Sequence, residues 1–233
     1  MTLTPAGLLA AAIPAPLRCL AWRLALLAGL SACLNAAESK PSYENNFQQA
    51  APGPLPDSEF LILDGAFEIK QDGDQKFIEL PGAPLDTFGV LFGPTQVDGV
   101  IASARIHGTK QGRRFPTFAI GLNGAGGYRL QVSPAKRQVE LLKGDESVAS
   151  APFDWLSDTW TEVRLQVRKV KEGAWRVEGK AWAQGKPEPT TWQVAADEST
   201  TPPAAGRASI WGAPFATTPI RFDDLRVMPA LAP

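Results

Sequence analysis

From Phe60 onward the chain alternates apolar and polar residues with a period of two. Val100, Ala102, Ala104 and Ile106 alternate with Ile101, Ser103, Arg105 and His107. Val163, Leu165 and Val167 alternate with Glu162, Arg164, Gln166 and Arg168. Phe118-Ile120-Leu122 and Tyr128-Leu130-Val132 repeat the pattern. A period of two over such short runs predicts antiparallel strands with one face on a core and one in water. Turn residues separate the runs: Gln71-Asp72-Gly73-Asp74, Asn123 to Gly127, and Lys143-Gly144-Asp145 each predict a hairpin. The stretch Ala135 to Lys143 contains good helix formers, but its place between two close turns favours a strand. Many short strands with regular turns indicate a sandwich or barrel.

The pattern breaks in two places. Asp223-Asp224 shifts the alternation by one residue between Phe222 and Leu225, which predicts a β-bulge. A calcium site is the competing reading of these aspartates, since calcium collects oxygen ligands. Counting by twos from Trp175 places Val177, Gly179 and Ala181 inside and leaves Trp182 on the polar face. A bulge at Gly179 would reverse that assignment. The other tryptophans weighed, Trp160, Trp175 and Trp192, join apolar faces and are expected to pack in the core.

The N-terminus has a different character. Residues 1–37 hold no acidic residue and two basic ones, Arg18 and Arg23, followed by the apolar run Leu24 to Leu30. A charged flank, a short apolar stretch and a small-residue exit describe a secretory signal, and the run is too short to span a bilayer. Leu30-Ser31-Ala32-Cys33 resembles the bacterial lipobox, so residues 1–33 are expected to be a signal peptide ending in the lipidated Cys33. Ordinary cleavage near Asn35-Ala36-Ala37 is the alternative. Residues 34–40 read as a tether, and residues 41–230 as the folded domain. The expected location is the cell envelope, with membrane attachment through the lipid alone.

Composition narrows the functions. Cys19 and Cys33 both fall in the signal, so the mature chain has no disulfide framework. Removing Arg18 and Arg23 from the 23 basic side chains leaves 21 against 24 acidic ones, a net charge of −3. No basic surplus exists to bind nucleic acid. One histidine, His107, excludes multi-histidine metal sites; it reads as a surface residue, and no cofactor or metal is expected. The glycines at 121, 124, 126 and 127 open a strand rather than a helix, so they form a turn and not a phosphate cradle.

The order of elements resembles the concanavalin A-like lectin/glucanase superfamily. The likeness is carried by Gly127 to Val132 followed by Val139 to Leu142, by Asp158-Thr159-Trp160 leading into an alternating strand, and by Gly206 to Gly212. The closing strand Ile220 to Val227 is similar to that of laminin-G-like and keto-disaccharide-hydrolase-like domains. The resemblance implies an all-β, antiparallel jelly-roll β-sandwich over residues 41–230, with Tyr43 to Phe47 pairing beside the last strand. Function is not implied as sharply, because one sandwich hosts lectins, glycosidases and adhesion modules. Retaining glucanases of the group carry Glu-x-Asp-x-x-Glu, and no glutamate here begins that pattern. Leu63-Asp64-Gly65-Ala66-Phe67 echoes the opening signature of keto-disaccharide hydrolases.

The expected function is a non-catalytic carbohydrate-binding or surface-interaction module that takes a glycan or polysaccharide. Its expected site is one polar sheet face, with Trp182 as a stacking platform and Arg129, Gln131, Glu140, Glu162 and Arg164 as polar partners. A glycoside-acting enzyme of the keto-disaccharide hydrolase type, using Glu140 or Glu162, and a structural lipoprotein are the alternatives.

Overall fold

The computed structural model describes residues 40–82 and 86–230. The expected signal peptide with its Cys33, and all of the expected tether except Lys40, lie outside the described residues. In chain order the strands begin with β1 (Tyr43–Asn45), β2 (Gly53–Pro54), β3 (Phe60–Asp64), β4 (Glu68–Asp72), β5 (Gln75–Leu80) and β6 (Phe88–Gln96). Next come β7 (Val100–His107), β8 (Thr117–Leu122), β9 (Tyr128–Ser133), β10 (Gln138–Lys143) and β11 (Glu146–Pro152). The chain closes with β12 (Thr161–Lys171), β13 (Ala174–Ala183), β14 (Val194–Glu198), β15 (Gly206–Ala213) and β16 (Ile220–Pro229).

These strands form two antiparallel sheets. The nine-stranded sheet runs β14-β13-β12-β7-β16-β5-β4-β2, with β1 also paired to β16. The seven-stranded sheet runs β11-β10-β9-β8-β15-β6-β3. The fold is therefore the antiparallel β-sandwich that the resemblance implied, one of the two architectures that the alternation allowed. All three predicted hairpins form: Asp72 pairs Gln75, Leu122 pairs Tyr128, and Lys143 pairs Glu146. Ala135 to Lys143 divides: Pro134–Lys136 makes one 3-10 turn, Arg137 turns back with φ of 54°, and the strand starts at Gln138. Proline fits the first position of that turn because it needs no amide hydrogen there.

The core lies between the inner faces. Val100, Ala102, Ala104 and Ile106 point inward with Val163, Leu165 and Val167, facing Phe118, Ile120, Leu130 and Val132 of the other sheet. At Gly179 the two inner faces lie close together. A Cβ there would stand 2.3 Å from Leu130 Cδ1, so any larger residue would have to displace the opposing leucine. No bulge occurs at Gly179, since β12 and β13 pair without a shift from Thr161–Ala183 to Lys169–Trp175.

Asp223-Asp224 does form the predicted bulge, with Asp224 at φ of 50° and a register shift between Asp223 and Arg226. The bulge lets β16 change partners: Ile220 to Phe222 pair with β5, and Leu225 to Val227 with β1. Beyond β1, Asn45 Oδ1 accepts the Phe47 amide at 2.8 Å, turning the Phe47 ring into the core, where it is 1% exposed.

A polar clasp joins the sheets at one edge. Glu198, at the end of β14, accepts bonds from Lys143 of β10, from Tyr128 Oη at 3.3 Å, and from the amides of Thr200 and Thr201. The hydrogen bond from Lys143 and the two amides outweigh burial and hold the Glu198 carboxyl at about 2, against an ordinary 4.5. Burial and the same carboxylate push the Tyr128 phenol up to about 12, keeping it a donor.

Two outcomes follow from this packing. Phe47→Ala should destabilise the domain by about 3–5 kcal/mol, as for other buried phenylalanines, measured by urea unfolding; a loss under 1 kcal/mol would show the arm to be a mere tether. Glu198 has a depressed folded-state pKa, so its stabilisation is complete above about 4.5 and is lost as pH falls toward about 2. Glu198→Gln should therefore be less stable than the parent at pH 6, with the gap closing across that window; a gap independent of pH would count against the clasp.

Candidate functional site

The six residues expected to share one polar face are divided by the fold. Arg129 and Gln131 of β9 and Glu140 of β10 project from the outer face of the seven-stranded sheet. Glu162 and Arg164 of β12 and Trp182 of β13 project from the outer face of the nine-stranded sheet, on the opposite side of the molecule. The expectation of one combined site is corrected accordingly. Alternation within a strand shows which residues leave the core, but not which sheet the strand joins.

On the nine-stranded side the charges are largely spent on one another. Arg105 lies 2.6 Å from Asp223 and 2.9 Å from Asp224, both on the bulge, and its guanidinium stands 4.7 Å from the Trp160 ring. Glu178 accepts from Gln166, Arg168 and Arg176 at 2.9–3.0 Å. Lys180 and Arg164 both pair with Glu188, on the segment after β13. Trp182 is half-buried opposite Glu162, with the Arg164 guanidinium 5.9 Å from its ring. It does face outward, as counting from Trp175 implied. Burial, aided by Asp224, pushes the Glu162 carboxyl up.

Three further expectations change on this side. Trp160 and Trp192 are half-buried, capped by Arg105 and Lys180 respectively, so of the three expected core tryptophans only Trp175 is fully buried. His107 is not a free surface residue. Its ring packs 5.4 Å from Trp160 and 3.3 Å from Asp158, and burial lowers its pKa despite that aspartate.

The seven-stranded side carries a groove. One row of outward residues crosses the sheet in register: Gly89, Trp211, Ala119, Gln131, Glu140 and Ser150. The small residues on both sides of Trp211 leave its indole lying over the sheet. A Cβ on Gly89 would come within 2.6 Å of the ring, so glycine provides the shelf on which it rests. Trp211 Nε1 donates to Ser209 Oγ at 2.8 Å, and the Arg129 guanidinium stands 4.8 Å from the ring. Two depressions, about 360 and 480 Å³, share Thr87, Gln131 and Trp211. Phe115 and Phe215 line one, Arg129 and Asp145 the other.

The polar groups of the groove are held in place. Arg129 Nη2 donates to the Gly144 carbonyl and to Asp145, each at 2.6 Å. Glu140 is buried; it accepts from Ser133 Oγ at 2.5 Å and from Lys136 Nζ at 2.9 Å. Burial alone would raise its pKa, but these bonds prevail and lower it. Gln131 Nε2 reaches Ser133 Oγ at 3.0 Å.

Trp211 is the residue that the sequence reading missed. The signal was present: Ala208, Ile210 and Gly212 are buried, so counting by twos from Ile210 would have turned Ser209 and Trp211 outward. Among the described residues no cluster of three or more histidine, cysteine or carboxylate side chains is placed to hold a metal ion.

No protein-family model and no curated sequence matches the chain. Solved structures do. The exoplasmic/lumenal domain of VIP36 in its Ca2+/Man2-bound form superposes with a TM-score of 0.55 at 9% identity, covering 84% of this chain and 91% of that one. A structure described with the endo-acting O-glycanases of the human gut microbiota gives 0.53 at 12%, covering 82% and 100%. The carbohydrate-binding module CBM66 from Bacillus subtilis gives 0.50 at 10%, covering 73% and 95%. At such identities the likeness shows the fold: a lectin-like sandwich.

Proposed function

We propose that this protein is a non-catalytic carbohydrate-binding module, with its site in the groove of the seven-stranded sheet. The observation that carries this reading is the half-buried Trp211 ring, laid over Gly89 with the Arg129 guanidinium 4.8 Å from its centroid, in a groove lined by fixed polar groups. Sugar rings have apolar C–H faces that cover a flat aromatic, while their hydroxyls need donors and acceptors around it. Trp211 takes the platform role that Trp182 was expected to play, Arg129 and Gln131 line the groove as polar partners, and Glu140 stands buried behind Gln131. The carbohydrate-binding name of CBM66 and the Ca2+/Man2-bound form of the VIP36 domain support the same reading.

The geometry favours binding over glycoside cleavage. Glycosidases work with two carboxyl groups about 5–9.5 Å apart across one bond. Glu140 and Glu162 leave opposite outer faces of the sandwich, so they cannot flank a common bond. The bonds that lower the Glu140 pKa also make it a poor general acid.

Export and anchoring belong to the same reading. The charged flank, the apolar run and the small residues before Cys33 support a lipid-anchored protein of the cell envelope, with residues 34–40 as the tether.

On a glycan array the intact protein should bind at least one class of carbohydrate without releasing products. Trp211→Ala should weaken that binding about tenfold or more, the size of a hot-spot aromatic, with little change in Tm. Silence of the intact protein on the array would favour a purely structural role, and product formation would favour an enzyme. For the anchor, Cys33→Ser should move the protein from the membrane to the soluble fraction; retention in the membrane after that change would overturn lipidation.

A further inference from the structure

We propose that Glu140, Ser133 and Gln131 form a fixed hydrogen-bond relay that presents Gln131 Oε1 as an acceptor beside Trp211, so that the groove selects neutral glycans able to donate a hydroxyl hydrogen there. This rests on the reading of the groove as a carbohydrate site and specifies the class of glycan. The relay begins at Glu140, 3% exposed and held by Lys136 Nζ at 2.9 and 3.2 Å. An ionised carboxylate only accepts. Ser133 Oγ, 2.5 Å from Glu140 Oε2, therefore gives its single hydrogen to that carboxylate. Having done so, the hydroxyl can only accept from Gln131 at 3.0 Å. An amide is assigned by its network, and this network turns the Gln131 NH2 toward Ser133. Oε1 is left as the free end of a side chain that lines both depressions of the groove.

The charges around it point the same way. Arg129 is engaged by Asp145 and a backbone carbonyl, and Lys136 by Glu140, so each of these cations already has its acid. A carboxylate or sulfate set against Gln131 Oε1 would bring two acceptors together without a hydrogen between them, an arrangement that costs the desolvation of both. A sugar hydroxyl supplies the missing hydrogen. Only Ala119 separates Gln131 from Trp211 along the row, so the hydroxyl that is read belongs to the ring stacked on the indole or to its neighbour.

The test uses the full-length protein and a panel of neutral polysaccharides (laminarin, galactomannan, levan, xyloglucan) beside polygalacturonate and alginate. The intact protein should bind a neutral polymer about tenfold or more tightly than the carboxylated ones. Glu140→Gln gives Ser133 an amide donor, which frees its hydrogen for Gln131 Oε1 and turns that amide round. This variant should narrow the preference for neutral polymers. Binding by the parent should also hold through neutral pH and decline only below the ordinary glutamate range, where Glu140 takes up a proton; Glu140→Gln should abolish that decline. The charged group facing Glu140 is Lys136, while its cross-strand neighbours Gln131 and Ser150 are uncharged. If Glu140→Gln does not fold, Gln131→Leu, on the groove surface, should lose about tenfold in affinity for the neutral polymer. Equal binding of neutral and carboxylated polymers, or a preference that Glu140→Gln or Gln131→Leu leaves intact, overturns the relay but leaves the carbohydrate site standing. Failure to bind any member of the panel or of the glycan array overturns both.

Discussion

Burial of one face of every long strand against the opposing sheet is the constraint on which the structure depends. The inward rows of the two sheets interlock closely enough that a side chain at Gly179 would have to displace Leu130. Because side chains alternate along a strand, filling the core also commits the remaining half of each strand to an outer face. The molecule thus presents two broad outer surfaces, and they have been used differently. The nine-stranded surface is closed by ion pairs and stacked aromatics, while the seven-stranded surface keeps small residues around one tryptophan and so retains a groove.

The difference between the surfaces can be traced to single positions. On the nine-stranded sheet, the bulge at Asp223-Asp224 brings two carboxylates against Arg105, and Glu188 returns over β12 and β13 to neutralise Arg164 and Lys180. Those contacts cover the polar face rather than leave it open to a ligand. On the seven-stranded sheet, Gly89 and Ala119 flank Trp211 and remove the side chains that would otherwise fill the depression. The polar groups that remain, Arg129 and Gln131, are each oriented by a neighbour, which reduces the ordering that a ligand would have to impose.

The irregular features serve the same architecture. The arm before β2 occupies the half of β16 that the bulge releases, and Phe47 anchors it in the core. Glu198 ties the edge of one sheet to a hairpin of the other. Both devices protect places where a two-sheet sandwich would otherwise leave an exposed edge or an open seam.

Much of this was legible in the chain. Period-two alternation, turn residues at short intervals and the slip at Asp223-Asp224 determined antiparallel strands, their hairpins and the bulge, because each depends on neighbours a few residues apart. Alternation likewise placed Trp182 outside and could have placed Trp211 there. The chain could not say that Glu162, Arg164 and Trp182 leave one sheet while Arg129, Gln131 and Glu140 leave the other. Sheet membership is set by pairings such as Ser209 with Gly121 and Arg105 with Asp223, between residues roughly 90 and 120 positions apart. Local pattern decides which side of a strand is wet; only the long-range closure of the sandwich decides which wet sides meet to make a site.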